Sequence, residues 1–200
     1  MPLVIFDGPE AAGKSTLIDA LMLEWGTESR LRSWGPKKSW LQYCQSLFED
    51  LEDCEENEQL LVVWSRSWCS RAVYNKLLSQ GQSVPPEVTK ELENIVVRSG
   101  GLLYLVTSPV SVLLERRIAR IERGDEKADH QLDVHKELHE FQFYVRARKW
   151  STLPGNSDVD QIVRTIIHAL VQRNPECRMN DRKEKPIELI ERGLSFGRSV

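Results

Sequence analysis

The sequence contains few cysteines, and they show no pairing pattern. Four cysteines occur in 200 residues, and none forms a Cys-x-x-Cys pair or lies near a His-x-x-x-His pair. Such spacings are the usual signatures of zinc sites and redox motifs, whereas small disulfide-stapled proteins carry many more cysteines. The composition therefore argues against a zinc site and a disulfide framework, and reduced thiols in a cytosol are expected.

Long apolar runs and an excess of positive charge are also missing. The chain begins with Met-Pro, and its first apolar run, residues 3–6, is too short for a signal-peptide core or a membrane span. We therefore expect a cytoplasmic protein with no membrane contact. The formal net charge of -3 provides no general attraction for nucleic acid, so small phosphorylated substrates fit at least as well.

Short apolar runs alternate along the chain with amphipathic segments, which predicts strands alternating with helices. The predicted strands are 2–7, 30–34, 60–64, 102–106 and 152–155. The predicted helices are 15–25, 40–51, 67–80, 86–97, 110–121, 138–150 and 159–172. This alternation predicts a three-layer α/β fold with a parallel sheet covered on both faces, in which ligands bind at the carboxyl ends of the strands.

Composition changes near the end of the chain. Beyond Asn174-Pro175 the sequence is polar and charged, with one short apolar group around 187–190. We predict one domain over residues 1–174 and a tail over 175–200 that is partly disordered.

The first predicted strand leads directly into a phosphate-binding motif. Residues 8–15, Gly-Pro-Glu-Ala-Ala-Gly-Lys-Ser, match G-x-x-x-x-G-K-[ST] between a strand and a helix, which is the context that this motif requires. Its backbone N–H groups and the helix N-terminus attract a phosphate. Lys14 is expected to reach the β- and γ-phosphates and Ser15 to ligate Mg²⁺. The predicted ATP-binding residues are Gly8, Ala11, Ala12, Gly13, Lys14, Ser15 and Thr16.

This motif occurs in kinases, ATPases and GTPases, so other features must discriminate among them. A guanine-specificity motif of the Asn-Lys-x-Asp type is absent, and 200 residues leave no room for the second domain of a motor ATPase. The sequence therefore favours a P-loop kinase, an enzyme that transfers the terminal phosphoryl group of ATP.

From residue 2 to residue 172 the sequence resembles the thymidylate kinase branch of nucleoside monophosphate kinases, with deoxynucleoside kinases as near relatives. Glu10 lies at the third position of the P-loop, where bacterial-type thymidylate kinases carry an acid. In the stretch 65–75, Arg66, Ser70 and Tyr74 match the family's Asp-Arg-Tyr-x-x-Ser and Ala-Tyr-Gln in register. The resemblance implies ATP- and Mg²⁺-dependent phosphorylation of a pyrimidine deoxynucleoside monophosphate, with a homodimer as a further implication.

The same resemblance implies an acceptor site. Arg66 would hold the acceptor phosphate or the transferring group, which suits a planar guanidinium that makes two parallel hydrogen bonds. Glu10 would lie near the acceptor sugar. Other residues predicted to contact the acceptor are Trp68, Ser70, Tyr74 and Asn75, which would line the pocket or face the base.

Two departures from the family pattern affect this comparison. Ser65 occupies the position of the family's aspartate, so the role of that carboxylate cannot be transferred to this chain. Asp7, at the end of the first strand, is instead a candidate for positioning metal-bound water. The family's Arg-Glu-Pro-Gly segment is absent, and Lys37 and Lys38 are the candidate acceptor-phosphate contacts in its place.

An arginine-rich helix precedes the region where the family has its lid. Arg116, Arg120 and Arg123 can share one helical face, whereas Arg117 is out of phase with them. Phosphoryl transfer requires charge stabilisation, so these arginines are candidate catalytic residues together with Lys14, Arg66 and Glu10. We predict a mobile lid over about 117–136, with 124–127 as its loop, that excludes water when it closes.

A histidine-rich segment follows the predicted lid loop. His130, His135 and His139 lie near Glu137 and Glu140, but their spacings match no zinc signature, so we reject a metal site there.

Two alternative functions remain open at this stage. The first is a kinase for a different acceptor, either a deoxynucleoside or a 5-hydroxymethylpyrimidine base in DNA; Ser65, Lys37 and Lys38 and the basic residues of the tail favour it. The second is a regulator that binds ATP without transferring phosphate, which the intact Lys14 and the arginine-rich helix disfavour.

Overall fold

The computed structural model describes residues 2–26, 28–34, 39–57, 59–78, 84–125 and 133–173. Its strands are β1 (Leu3–Asp7), β2 (Ser29–Ser33), β3 (Leu61–Ser65), β4 (Leu102–Thr107) and β5 (Ser151–Pro154). Its helices are α1 (Lys14–Trp25), α2 (Trp40–Glu56), α3 (Trp68–Leu78), α4 (Pro86–Arg98), α5 (Val110–Glu122), α6 (Val134–Val145) and α7 (Val159–Gln172).

The five strands form one parallel sheet in the order β2-β3-β1-β4-β5. β1 is the central strand, and it pairs with β3 through Leu3 opposite Val62 and with β4 through Val4 opposite Leu102. All five residues of β1 are buried. The first four of them, residues 3–6, are all apolar, which is what a parallel sheet with helices on both faces requires. The architecture confirms the predicted α/β fold class.

Alternate residues of β1 face two separate hydrophobic cores. Leu3 and Ile5 contribute to a core that includes buried side chains of α2, α3 and α4. Val4 and Phe6 contribute to the second core, which includes buried side chains of α1 and α7. Because successive side chains of a strand point to opposite faces of the sheet, β1 contributes to the cores on both sides, and helices cover each face.

The α6 helix is the element whose position differs most from the sequence prediction. The periodicity predicts a helix over 138–150, but α6 begins at Val134 and ends at Val145. It begins earlier because Asp133 caps it, accepting hydrogen bonds from the N–H groups of His135 (2.9 Å) and Lys136 (3.3 Å). Trp150, which the prediction placed at the end of this helix, lies beyond it. Its side chain is buried in the core, and its indole N–H donates to the buried Glu93 (2.9 Å).

Several sequence predictions concern parts of the chain outside the described residues. These are the tail 175–200, residues 126–132 of the predicted lid, and Lys37 and Lys38. The division into a domain and a tail therefore stays a prediction. In the part of the chain that the structure describes, no helix is both long enough and apolar enough to cross a membrane.

Candidate active site

The P-loop, residues 8–13, connects β1 to α1 at the carboxyl edge of the sheet. A Cβ atom on Gly8 would lie 2.1 Å from the carbonyl oxygen of Val106 on β4, so only glycine fits there. Ser108 donates its hydroxyl to the carbonyl of Ala12 (3.1 Å), and Arg116 donates to the carbonyl of Ala11 (3.0 Å). Contacts from β4 and α5 thus fix the outer side of the loop.

The turn after β5 packs against the same loop. A Cβ atom on Gly155 would lie 1.7 Å from the carbonyl oxygen of Ala12, so the two backbones can approach only because residue 155 has no side chain. The guanidinium of Arg116 also donates to the carbonyl of Gly155 (3.3 Å). One arginine therefore ties the P-loop to the end of β5.

Lys14 is almost fully buried at the base of the P-loop. Its ammonium donates to the carbonyl oxygens of Gly8 (2.8 Å) and Pro9 (2.7 Å), and its exposed fraction is 8%. Burial, and after it the neighbouring Arg66 guanidinium, lower the pKa of Lys14 to about 8. An anionic phosphate bound beside the ammonium would raise this pKa again, because it favours the charged form.

This pKa predicts proton uptake when a triphosphate binds. At pH 8 about half of Lys14 is neutral in the ligand-free protein, and a bound phosphate would protonate it. Calorimetric titration with MgATP in buffers of different ionisation enthalpy should therefore show net uptake of a fraction of one proton near pH 8. Near pH 6.5 Lys14 is already charged, and this contribution should vanish. The same uptake at both pH values would contradict this assignment.

A cavity of about 580 Å³ opens beside the P-loop. Residues from the P-loop, the ends of β2 and β3, and one face of α5 line it: Glu10, Ala11, Ala12, Gly13, Lys14, Ser15, Thr16, Ser33, Trp34, Ser65, Arg66, Arg116, Ala119, Arg120 and Arg123. The structure thus brings the predicted ATP-binding residues 11–16 together with the candidate catalytic residues. Gly8 does not line the cavity; it allows the start of the P-loop to pack against Val106 of β4.

The cavity is strongly basic. Its described lining includes five basic side chains and a single carboxylate, that of Glu10. Three arginines of α5 line the same cavity as Arg66 and share one helical face, as their spacing predicts. Arg123 also pairs with Asp125 at an exposed position (3.0 Å). The site is therefore suited to several phosphate groups at once.

Arg66 follows β3 in an unusual backbone conformation. Its φ is 71°, in the left-handed region that side-chain-bearing residues rarely adopt, and its N–H donates to the carbonyl of Phe6 (2.8 Å). The guanidinium contacts the Glu10 carboxylate (3.0 Å), and both side chains are about one-third exposed. This conformation turns the guanidinium from the strand end towards the P-loop, and such strain often accompanies a functional position.

Asp7 lies deeper than a metal-facing residue would. Its carboxylate is fully buried and accepts hydrogen bonds from the hydroxyl groups of Ser67 and Ser70 and from the Ser70 N–H (3.1 Å). Burial raises the pKa of Asp7, and the two serine contacts oppose that effect. In this structure Asp7 therefore anchors the start of α3 to the end of β1.

The residues predicted to contact the acceptor from α3 are placed differently from expectation. Trp68, the first residue of α3, is fully buried, packs edge-on against Trp64 in the core and is not among the residues that line the cavity. The Ser70 hydroxyl is engaged by Asp7. Tyr74 donates to Glu137 (2.6 Å), and Asn75 lies one residue further along α3, outside the described lining of the cavity.

Two residues beside the site, Glu137 and Arg117, received no role there from the sequence analysis. Glu137 of α6 is fully buried and forms an ion pair with Arg117 of α5 beneath the P-loop. The out-of-phase spacing of Arg117 indicated that it leaves the face of the other arginines, but not that it has a buried partner. Glu137 sits among histidines and exposed charges, and nothing in its local pattern separates it from them.

The described residues fit MgATP, with few protein ligands for the metal. Ser15 is exposed and lines the cavity. No group of three or more His, Cys, Asp or Glu side chains within the described ranges could hold a metal by itself. Mg²⁺ usually keeps several waters and shares its remaining ligands with substrate phosphates, so a single serine hydroxyl from the protein suits it.

Comparisons with known proteins show the fold. No protein-family model and no curated protein sequence matches the chain. The YorR protein from Bacillus subtilis, solved with phosphorylated GDP, is 19% identical at a TM-score of 0.59, over 84% of this chain and 95% of that one. Polyphosphate kinase 2 from Arthrobacter aurescens TC1 is 13% identical at a TM-score of 0.60, over 98% of this chain and 75% of that one. The chain therefore shares the α/β fold of these structures.

Proposed function

We propose that the protein is a P-loop kinase that transfers the γ-phosphoryl group of ATP to a pyrimidine deoxynucleoside monophosphate. The observation that carries this proposal is the shared cavity, which an intact P-loop, Arg66 and three α5 arginines line together. The fold neighbour solved with phosphorylated GDP supports a nucleotide ligand without selecting the base.

The donor side of the site consists of the P-loop and the first turn of α1. The backbone N–H groups of residues 11–15 would bind the β-phosphate, and the ammonium of Lys14 would leave the carbonyls of Gly8 and Pro9 for the phosphate oxygens. Ser15 would hold Mg²⁺, which would neutralise part of the negative charge of the triphosphate.

The acceptor side consists of Arg66 and Glu10. Arg66 can bind a phosphate with two parallel hydrogen bonds, and its present contact with Glu10 is about one-third exposed, so a phosphate can replace that carboxylate at small cost. Glu10 would then be released towards the sugar, as the resemblance to thymidylate kinases implies.

Charge balance favours an acceptor that already carries a phosphate. The described lining has an excess of four positive charges. A magnesium-bound triphosphate carries about two negative charges and a monophosphate about two more, whereas a nucleoside acceptor would leave the arginines under-compensated. A monophosphate also requires no general base, because its attacking oxygen is already ionised.

The three α5 arginines would stabilise charge on the transferring group. Arg116 is held by the carbonyls of Ala11 in the P-loop and Gly155 after β5. Arg120 and Arg123 lie one and two turns further along α5, so they are better placed to move onto the phosphoryl oxygens. Such donors act by electrostatic stabilisation in a site that excludes water. The three arginines are therefore the proposed source of most of the rate acceleration.

A second candidate acceptor is a hydroxyl group, on a deoxynucleoside or on a 5-hydroxymethylpyrimidine in DNA. The sequence observation behind it is Ser65, which departs from the thymidylate kinase pattern by replacing an aspartate at the end of β3. Glu10 is the one carboxylate in the described lining, and it would have to leave Arg66 and act as the base. This requirement makes the candidate weaker than a monophosphate acceptor.

The test is an acceptor screen with γ-labelled ATP and Mg²⁺. Common nucleosides, their monophosphates and hydroxymethyluracil-containing DNA are offered in parallel, with Lys14→Ala as the control. Label on a pyrimidine deoxynucleoside monophosphate is the expected result. Label on a nucleoside or on DNA would replace it with the second candidate, and a DNA acceptor should also lose activity steeply as salt rises. Label on none of these acceptors would contradict the proposal.

A further inference from the structure

Glu137 connects four elements beneath the active site. Its Oε1 accepts hydrogen bonds from the backbone N–H of Glu10 (2.9 Å) and from the hydroxyl of Tyr74 (2.6 Å), while its Oε2 pairs with Arg117. Glu137 is 0% exposed and Arg117 is 3% exposed. The P-loop, α3, α5 and α6 therefore meet at one carboxylate.

A buried ion pair of this kind is weak evidence for a stabilising role. Removing both charges from water is costly, and well-packed apolar residues of similar volume often stabilise a fold at least as much. Burial, followed by the neighbouring Glu137 carboxylate, also raises the pKa of Tyr74 well above its usual value, so its hydroxyl remains a donor. The cluster gives directed hydrogen bonds, which an apolar replacement would not provide.

The position of the cluster relates it to the residues that face the acceptor. Glu137 holds the backbone of Glu10, and the Glu10 side chain in turn contacts Arg66 (3.0 Å). Next to Arg117, Arg116 donates to the carbonyl of Ala11. Consecutive arginines of α5 thus hold consecutive P-loop residues, one directly and the other through Glu137.

We propose that Glu137 is a positioning residue for phosphoryl transfer. Supported by Arg117 and Tyr74, it fixes the acceptor side of the P-loop relative to α5, so that Glu10 and Arg66 face the arginines Arg120 and Arg123 at a set distance. The inference rests on the proposed kinase function. It assigns Glu137 no contact with substrate; its effect passes through the Glu10 backbone.

This role predicts which kinetic constant changes. The phosphates of ATP would bind the N–H groups of residues 11–15, whereas Glu137 holds the N–H of Glu10, which is not among them, so the KM for ATP should change little. A small displacement of Glu10 and Arg66 would act on the reacting geometry, where misplacement by about 1 Å can reduce the rate a hundred-fold. The loss should therefore appear in kcat and in the KM of the acceptor.

The experiment compares three changes with a matched control on the same helix. Glu137→Gln removes the charge and keeps the shape, Tyr74→Phe removes a single hydrogen bond, and Arg117→Met combined with Glu137→Leu replaces the pair by apolar side chains. The control is Glu140→Gln, which breaks the exposed pair with Lys76 (2.6 Å) less than one turn away. The readouts are kcat, both KM values, the thermal midpoint, and amide hydrogen exchange of the P-loop.

We expect Glu137→Gln to lower kcat by about ten-fold or more and Tyr74→Phe to lower it less, with Glu140→Gln unchanged. The paired variant should regain the thermal midpoint without regaining kcat, and exchange of the Glu10 amide should be faster in it than in the wild type. Recovery of kcat together with stability would show a purely structural role and overturn the inference.

Failure of the kinase proposal can be separated from failure of this inference. If the wild type transfers no label to any acceptor, the proposed function fails by itself, and the exchange measurement still decides whether Glu137 fixes the P-loop. Unchanged exchange of the Glu10 amide in the paired variant would overturn the positioning role even in an active enzyme. Faster exchange limited to the P-loop supports it.

Discussion

Lys14→Met is expected to slow phosphoryl transfer strongly and to stabilise the ligand-free protein. Removing the ammonium takes away the donor that follows the transferring phosphate, a loss of roughly a hundred- to a thousand-fold in rate for one well-placed donor. Its folded-state pKa falls from 10.5 to about 8, so the charged form is disfavoured by the fold. That shift corresponds to about 3 kcal/mol, and an uncharged side chain of similar length should recover a part of it.

The sign of the stability change also depends on pH. Between pH 8 and 10.5 the unfolded chain holds the Lys14 proton and the folded chain has released it, so this residue contributes stability that rises with pH across that window. The gain from Lys14→Met should therefore be largest below pH 8 and shrink above it. Urea unfolding of both proteins at pH 7 and pH 9.5 measures it, with Lys149→Met, an exposed lysine, as the control. A destabilised Lys14→Met protein at pH 7 would contradict the burial argument.

Much of the fold follows from local sequence signals. The apolar runs at β1, β3 and β4 are buried on both faces. A short apolar run between amphipathic helices is typical of a strand in a parallel sheet, so these three strands could be predicted from the sequence. The P-loop is equally local, because eight consecutive residues define it. The common face of Arg116, Arg120 and Arg123 follows from the helical period alone.

The parts of the site that sequence reasoning missed depend on distant contacts. Glu137 is 127 positions away from Glu10, and Gly155 touches Ala12 from the far end of the sheet. Trp68 shows the opposite error: it lies only two positions after Arg66 in sequence, yet its side chain is buried in the core. Adjacency along the chain says little about which side of a strand end a residue faces.

Two central residues of the site are held in conformations that oppose stability. Lys14 is charged in a buried place, and Arg66 has a backbone angle that favours glycine. Natural sequences depart from local preference mainly at functional positions, where the surrounding structure enforces the strained state. Here the β1–P-loop–α1 unit holds Lys14, and the end of β3 holds Arg66. A substitution that relieves the unfavourable state of either residue should therefore lower activity without lowering stability.

Arg66→Gly is the sharper test of this separation. Glycine adopts a φ of 71° without steric cost, whereas a left-handed residue with a side chain is penalised by about 1–2 kcal/mol. The lost pair with Glu10 is partly exposed and contributes less than about 1 kcal/mol. We therefore expect unchanged or slightly higher stability together with a loss of transfer of about a hundred-fold or more, because no other group at the end of β3 offers a paired phosphate contact.

A second readout links Arg66 to Lys14. The Arg66 guanidinium is the largest electrostatic cause that lowers the pKa of Lys14, so Arg66→Gly should raise that pKa, and Arg66→Lys should leave it nearer its present value. Proton uptake on MgATP binding at pH 8 should then decrease in Arg66→Gly and persist in Arg66→Lys. An Arg66→Gly protein that keeps its transfer rate would remove Arg66 from the acceptor site, and one that unfolds would show that the arginine is a structural anchor.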